Sequence, residues 1–504
     1  MAPPRGRRSV RALAVTGALG VLGGLAVGGV LAAREVRRSG WGVARARVRR
    51  TRRLTWLAIR RAAAAARLGL PGGADRGRLD EFHVHTAEQA FELLGDMKGV
   101  AMKLGQMASL LSDGLPEAYA EGLKGLQQAA PPMAPGLVSQ VVEEELGGPP
   151  EAVFYEFSAE PVAAASIGQV HRARLFDGTP VAVKVQYPGV DVAIRADLDN
   201  ALLLTTLAKA IAPGIEPGPF VDELRARIGD ELDYRKEAAH QDEFGAAFLD
   251  HPWVRIPEVL HEFSSARVLT SEWAEGESLY EILDRSQEEK DLVGEELFRF
   301  WCDAVFRLRL FNGDPHPGNY FFGAGGRSGP TPIWFLDFGL VKRFSPGDTD
   351  ALREQILALR SGDPAKLLDV MVRFGWLREN APVDQDRVAE LAELALRSAI
   401  GPGPFTFTRE YVASVVQASL VVSGPYSDVV RYLTLPPQQV LLNRIHLGLS
   451  ALLARLGATG DWAGIMDEYI LDTPPSTALG EAGAAWPTVG PAPPADHGST
   501  GPVQ

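Results

Sequence analysis

The stretch NGDPHPGNYFF, residues 312–322, constrains this chain more than any other. It sets Asp314 five residues before Asn319 with two prolines and a glycine between them, so the backbone must turn there. Eighteen residues after Asn319 comes FLDFG, in which two large apolar residues deliver Asp337 as if from a strand end. Two rigid turns carrying two carboxylates and a carboxamide suggest a site for phosphate and a hard metal ion.

At 504 residues with 46% apolar side chains, the chain can build two or three domains with real cores. The single cysteine, Cys302, excludes a disulfide framework and a thiolate metal cluster, and fits a reducing compartment. Charge is split along the chain. Residues 1–70 hold 16 arginines, no lysine and one acid, Glu35, whereas the other 434 residues hold 35 basic and 62 acidic side chains. Only the N-terminus suits an anionic partner such as anionic membrane lipid, and no nucleic acid is expected on the body.

Residues 1–12 form a basic N-terminus, and residues 13–33 are 21 residues without a charge. As a helix they would span about 31 Å, close to the thickness of a bilayer's hydrocarbon core. Gly20, Gly24 and Gly28 would let a second membrane helix approach. Twelve arginines follow between Arg34 and Arg67, in the basic segment 34–80, against four before residue 13, which keeps the body on the cytoplasmic side of a single-pass anchor. A cleaved signal peptide, with Arg7-Arg8 as a twin-arginine hint, and an arginine-rich presequence are the competing readings.

Residues 81–143 read as a helical extension, with Phe91, Leu94, Met97, Ala101, Leu104, Ala108 and Leu111 at steps of three and four. Residues 144–273 carry short β-rich runs, AVFYEF, VHRARL, VAVKVQ and RVLTSEW, with helices interposed at about 190–211 and 220–249. Residues 274–470 read almost wholly helical, and 471–504 read as a disordered Pro/Gly/Ala-rich tail. The expected fold is therefore α+β, a small β lobe and a helical lobe that bind a nucleotide between them, behind a helical extension and a transmembrane helix.

Lys184 lies inside the apolar run VAVKV, where an ammonium either faces outward or needs a buried partner. The acids of DELDYRKEA, namely Glu231, Asp233 and Glu237, are the candidate partners, and a solvated helix face is the alternative for each. Asp314 and Asn319 match a kinase catalytic loop, and Asp337 in LDFG matches its second metal-binding turn. A glycine-rich phosphate loop is missing before Lys184. Ala163, Ala164, Ala165 and Ser166 stand there with only Gly168 remaining, so the backbone cannot wrap phosphate as closely, and the run reads as a modified nucleotide lid.

KLGQ, AAASIGQVHRA, VAVKVQYPGV, ELDYRKEA, GDPHPGN and LDFG occur in that order, and with them the chain resembles the UbiB-like atypical kinases that support coenzyme Q and other isoprenoid-quinone pathways. The likeness runs from about Gly99 to Glu277 and through Asp314–Gly339. It implies a two-lobed protein-kinase-like fold with ATP and Mg²⁺ as cofactors. Lys184 would pair with Glu237 and hold the α/β-phosphates, Asn319 and Asp337 would ligate Mg²⁺, and Asp314 would be the catalytic-loop aspartate. Glu272-Trp273-Ala274 would meet adenine at the interlobe hinge, with Glu272 and Ala274 as the contacting backbone. Glu231 and Asp233 match the family's Glu-x-Asp motif, which faces Lys103 and Gln106 of the extension where a protein kinase takes its peptide. Gln128 departs from the acid that related chains carry after the first glutamine of LQQAAPPM.

The resulting expectation is an ATP-dependent atypical kinase/ATPase at the membrane face, with ATP/ADP, anionic lipid, a quinone or isoprenoid lipid and biosynthetic proteins as partners. A protein kinase acting in trans is the second reading; Asn312-Gly313 in place of His-Arg and the alanine lid argue against it. A nucleotide-sensing scaffold is the third. His83, His85 and His171 have no thiolate or carboxylate spacing for zinc, and His316 is expected to orient the Asp314 turn.

Overall fold

A computed structural model of the chain describes residues 135–165, 167–191, 229, 232–312, 316–323, 330–401, 403–420, 424–434 and 437–486. It opens on α1 (Pro135–Leu146) and one helical turn (Pro150–Val153), then β1 (Glu156–Phe157), β2 (Ala163–Ala164), β3 (Gly168–Arg174) and β4 (Pro180–Gln186). AVFYEF, read as one strand, divides: Pro150 starts a helical turn, Phe154 N–H closes it on the Pro150 carbonyl, and only Glu156–Phe157 pair in a sheet. Strict alternation in β4 buries Val181, Val183 and Val185 against Val138, Val141 and Val142 of α1. Each such valine contributes about 1.5–3 kcal/mol. The same alternation turns Ala182 and Lys184 to the opposite face.

The next elements are α2 (Tyr234–Ala247), β5 (Val254–Arg255) and β6 (Val268–Glu272). Among the described residues the first sheet has the order β1-β3-β4-β6 with β2 also on β3, all antiparallel. All but residues 190–191 of the helix expected over 190–211, and most of the first part of that over 220–249, lie outside the described residues.

Beyond Trp273 the chain is less uniformly helical than expected. β7 (Glu277–Ser278) leads through a helical turn (Leu279–Ile282) to α3 (Gln287–Cys302), which widens into a π turn, Asp303–Leu308. Arg309 ends that turn in the left-handed region, φ 52. Then come β8 (Leu310–Asn312), β9 (Tyr320–Phe322), β10 (Ile333–Phe335) and β11 (Val341–Arg343). β5, β10, β9 and β7 form one mixed sheet in that order, and β8 pairs with β11. Strands of two or three residues are too short to display an alternation, which is why the sequence conceals them.

Among the described residues the longer helices that follow are α4 (Pro346–Arg360), α5 (Pro364–Arg373), α6 (Gln385–Ala395), α7 (Arg409–Leu420), α8 (Pro437–Leu456), α9 (Trp462–Ile470) and α10 (Ala478–Ala484), with single helical turns at Arg397–Ile400 and Ser427–Val430. A short pair, β12 (Phe405–Thr406) and β13 (Thr459–Gly460), ties α7 to α9. The large core gathers around α3, where Phe298, Phe300 and Trp301 meet Phe335, Leu452 and Trp462. Part of the expected disordered tail is structured: α10 folds and Trp486 is buried. Among the described residues no helix is long and apolar enough to cross a membrane, and residues 13–33 lie outside them.

Candidate nucleotide site

Lys184 sits opposite Val170 of β3 and Leu269 of β6, in the middle of the first sheet. Its ammonium donates to both Glu237 oxygens, at 2.7 and 2.9 Å, and lies 4.0 Å from Asp337 Oδ2. The Tyr234 ring lies under it, 5.1 Å from Nζ to the centroid. Burial alone would pull its pKa down, but the Glu237 and Asp337 carboxylates outweigh that and hold it above the ordinary lysine value. The side chains of Lys184 and Glu237 are 16% and 6% exposed and that of Asp337 is 35%, so the pair is enclosed while the aspartate faces an opening.

Glu237 reaches Lys184 because it stands in the first turn of α2. Asp233 is the N-cap of that helix and accepts the Arg235 N–H at 3.1 Å. Arg235 also pairs with Asp233 through Nη2 at 2.9 Å and holds its carboxyl below the usual aspartate range. Asp233 therefore has a local structural task. Lys103, Gln106 and Glu231, the other members of the expected family-specific cluster, lie outside the described residues.

Asn319 directly precedes β9 and Asp337 closely follows the neighbouring strand β10. The register Tyr320↔Phe335 between β9 and β10 puts Asn319 across from Leu336, whose N–H donates to the Asn319 carbonyl at 3.0 Å. Asp337 follows directly and accepts the Gly339 N–H on Oδ1 at 2.9 Å. His316 caps the short 3₁₀ turn Pro317–Asn319, its Nδ1 accepting the Gly318 N–H at 3.1 Å. Asp314 itself lies outside the described residues, between Asn312 and His316.

The alanine run forms a small hairpin rather than a wrapping loop. Ala163 and Ala164 pair with Val170 and Gln169, both alanines are exposed, and Ala165 N–H closes on the Gly168 carbonyl at 2.9 Å. Ser166 lies outside the described residues. Gly168 is needed for contact: a Cβ there would sit 2.3 Å from the Val185 carbonyl oxygen and 2.9 Å from the Tyr234 hydroxyl. At the other edge Glu272 ends β6 opposite Val181, Trp273 N–H donates to the Pro180 carbonyl at 3.2 Å, and Ala274 is buried. Arg172 stacks on the Trp273 ring at 4.9 Å.

Four residues of this site carry no role in the sequence reading. Gln186, on the same face as Lys184, donates to the Leu232 carbonyl at 3.1 Å and so anchors the approach to α2. His240, one turn beyond Glu237, contacts the Phe338 carbonyl through Nδ1 at 3.1 Å. Phe244 packs on the Phe338 ring at 5.1 Å. Asn312 donates its side-chain amide to the Asp337 carbonyl, joining β8 to the Asp-Phe-Gly turn. The two-residue step from Lys184 could have flagged Gln186; the other three depend on tertiary packing. His171, set aside as a ligand, is buried between Gln169 and the Ser158 carbonyl.

A β-sheet lysine paired with a helix glutamate, beside turns carrying Asn319 and Asp337, defines a protein-kinase-like chain. Residues 125–371 match the ABC1 atypical kinase-like domain. The chain is 30% identical over 386 residues to the mitochondrial atypical kinase coq-8 of Caenorhabditis elegans, 76% of this chain and 50% of that protein. It is 32% identical over 301 residues to a Marinobacter nauticus protein named as the protein kinase UbiB, 59% of this chain and 55% of that protein. The chain thus spans about half the length of these curated relatives. The solved structure of Mycobacterium tuberculosis Rv3197, a complex with erythromycin, is 32% identical with a TM-score of 0.56 over 79% of this chain and 98% of that one. The chain belongs to the ABC1 atypical kinase-like family, which includes the UbiB and COQ8 kinases.

Proposed function

We propose that the chain is an ATP-dependent atypical kinase/ATPase that handles Mg-nucleotide at a membrane face and supports isoprenoid-quinone or related lipid metabolism. The observation that carries this reading is the enclosed Lys184–Glu237 pair with Asp337 4.0 Å from Nζ. Lys184 would neutralise α/β-phosphate oxygens while Glu237 keeps its ammonium directed into the cleft, and the alanine hairpin with Gly168 would cover the phosphates. Glu272 and Ala274, at the end of β6 and just beyond it, would face the base through their backbone. The hard oxygen donors of Asn319 and Asp337 suit Mg²⁺, whose chemistry when bound is to offset phosphate charge. Asp314 would orient or accept the proton of the attacking hydroxyl or water. Residues 13–33 would anchor the domain on the cytoplasmic face, with anionic lipid at the arginine-rich segment.

The test is Mg-ATP and Mg-ADP binding and ATP turnover by the full chain, with and without anionic liposomes and a quinone head-group analogue. Lys184→Ala should weaken nucleotide binding at least about tenfold, and Asp337→Asn should abolish Mg²⁺-dependent turnover. Variants that behave as wild type, or a wild type that binds no nucleotide, would sink the reading.

A further inference from the structure

Trp486, the last described residue, is 5% exposed although it stands in a segment of tail-like composition. Its indole lies against Phe248, with centroids 5.6 Å apart and planes 6° from parallel, and meets the His251 ring at 4.6 Å. Nε1–H donates to the Leu249 carbonyl at 2.9 Å. Phe248 is the C-cap of α2, the helix whose first turn carries Glu237 and whose Phe244 packs on Phe338 of the Asp-Phe-Gly turn.

The segment that brings Trp486 there is itself moored. Thr477 caps α10, accepting the Gly480 N–H at 3.0 Å and Arg299 Nη2 at 2.9 Å. Arg299 rises from α3 and also holds Glu468 of α9. An open recess of about 500 Å³ borders the last turn of α2, lined by Gly245, Phe248, Leu249, His251, Arg255 and Ile256 among others. Phe248 does touch Phe300 at 5.1 Å, so losing the indole would loosen α2 without freeing it.

We propose that Trp486 is a positioning residue for the Lys184–Glu237 pair, holding α2 through Phe248 at the angle that brings Glu237 onto Lys184. The proposal rests on reading that pair as part of a nucleotide site. The leverage is geometric. Glu237 and Phe248 are separated by about 16 Å of helix, so a tilt of about 5° about the far end shifts the carboxylate by about 1.4 Å. Such a shift turns a direct ion pair into one spaced beyond hydrogen-bond reach.

Two measurements on the full chain decide it. The first needs no nucleotide: amide hydrogen exchange in Trp486→Ala and Trp486→Phe. Exchange over residues 234–248 should rise at least about fivefold in Trp486→Ala while α3 is unchanged, and Trp486→Phe, which keeps a stacked ring, should recover most of the protection. The second is a double-mutant cycle on Mg-ATP affinity. Trp486→Ala should weaken binding about tenfold in the wild-type background and hardly at all beside Glu237→Gln. Unchanged exchange in 234–248, or an equal affinity loss in both backgrounds, would overturn the proposal. If the wild type binds no Mg-ATP, the nucleotide reading fails and exchange alone decides whether Trp486 controls α2. Should Trp486→Ala fail to fold, Trp486→Leu, without the indole plane or the Nε1 donor, carries the same expectations.

Discussion

Arg299 and Glu468 meet as a two-pronged pair, Nη1 on Oε2 at 2.7 Å and Nη2 on Oε1 at 3.0 Å, with Arg299 only 1% exposed. Breaking such a pair strands a charge away from water. Arg299→Met is expected to destabilise the chain by about 3 kcal/mol, and Arg299→Met/Glu468→Leu by clearly less, because the more deeply buried Glu468 charge is no longer stranded and only the more exposed Glu295 loses its partner. Burial alone would raise the Glu468 pKa, but the Arg299 and Ser476 contacts outweigh it and hold the carboxyl below the ordinary 4.5. The pair's contribution is therefore present above pH 4.5 and is lost as pH falls through the lower folded value. Urea midpoints of the three proteins across pH 3–7 check both points.

Glu296 should give the opposite pH slope. It is buried, and desolvation lifts its pKa well above 4.5 despite the Thr331 N–H that donates to Oε1 at 2.5 Å; the nearby Glu295 adds to the rise. The folded state keeps this carboxyl protonated, so wild-type stability declines as pH climbs from 4.5 toward the folded value. Glu296→Gln, neutral and still able to accept from Thr331, should be near neutral at pH 4.5 and gain up to about 1.4 kcal/mol per pH unit above it until that value is reached. Thermal melts at a series of pH values from 4.5 to 8 would reveal the divergence; parallel curves would refute it.

Gly168→Ala should be severe, since the added carbon meets a backbone oxygen that cannot move without shifting β4. A loss of more than about 2 kcal/mol is expected, with nucleotide affinity falling further than under a stability-matched substitution in α5. Chemical denaturation and a nucleotide titration at one temperature would compare the two.

Arg309→Gly runs the other way. The arginine occupies the left-handed region directly before β8, which glycine enters without steric cost. The variant should gain about 0.5–1 kcal/mol, the relief exceeding the entropy glycine adds to the unfolded chain, while Arg309→Val should lose at least as much. Shifts of the urea midpoint in opposite directions would establish it.

Much of the chemistry was readable because it sits in rigid, ordered words of sequence. The lysine in VAVKV needed either an outward-facing position or a carboxylate, with Glu231, Asp233 and Glu237 as the candidates, and the fold pairs it with Glu237 in the first turn of α2. The distance between the two, 53 residues, was no obstacle to naming it as a candidate. What escaped was whatever tertiary contact alone decides. β7 to β11 are too short to alternate. α10 has the composition of a linker and folds because Arg299 and Thr477 fix its start and Trp486 its end. The same holds for His240 and Asn312, each an ordinary polar residue until the fold brings it to the Asp-Phe-Gly turn.

The mixed sheet β5-β10-β9-β7 incorporates the strands on both sides of the β6 excursion. Downstream of β6, the run between the two sheets is only Trp273–Gly276. Gly276 lies so close to strand β9 that a Cβ would stand 2.6 Å from the Phe322 carbonyl oxygen. On this side the first sheet is joined to the second by a strap of four residues drawn tight against β9, and a residue bulkier than glycine at position 276 would have to push that strap off the strand.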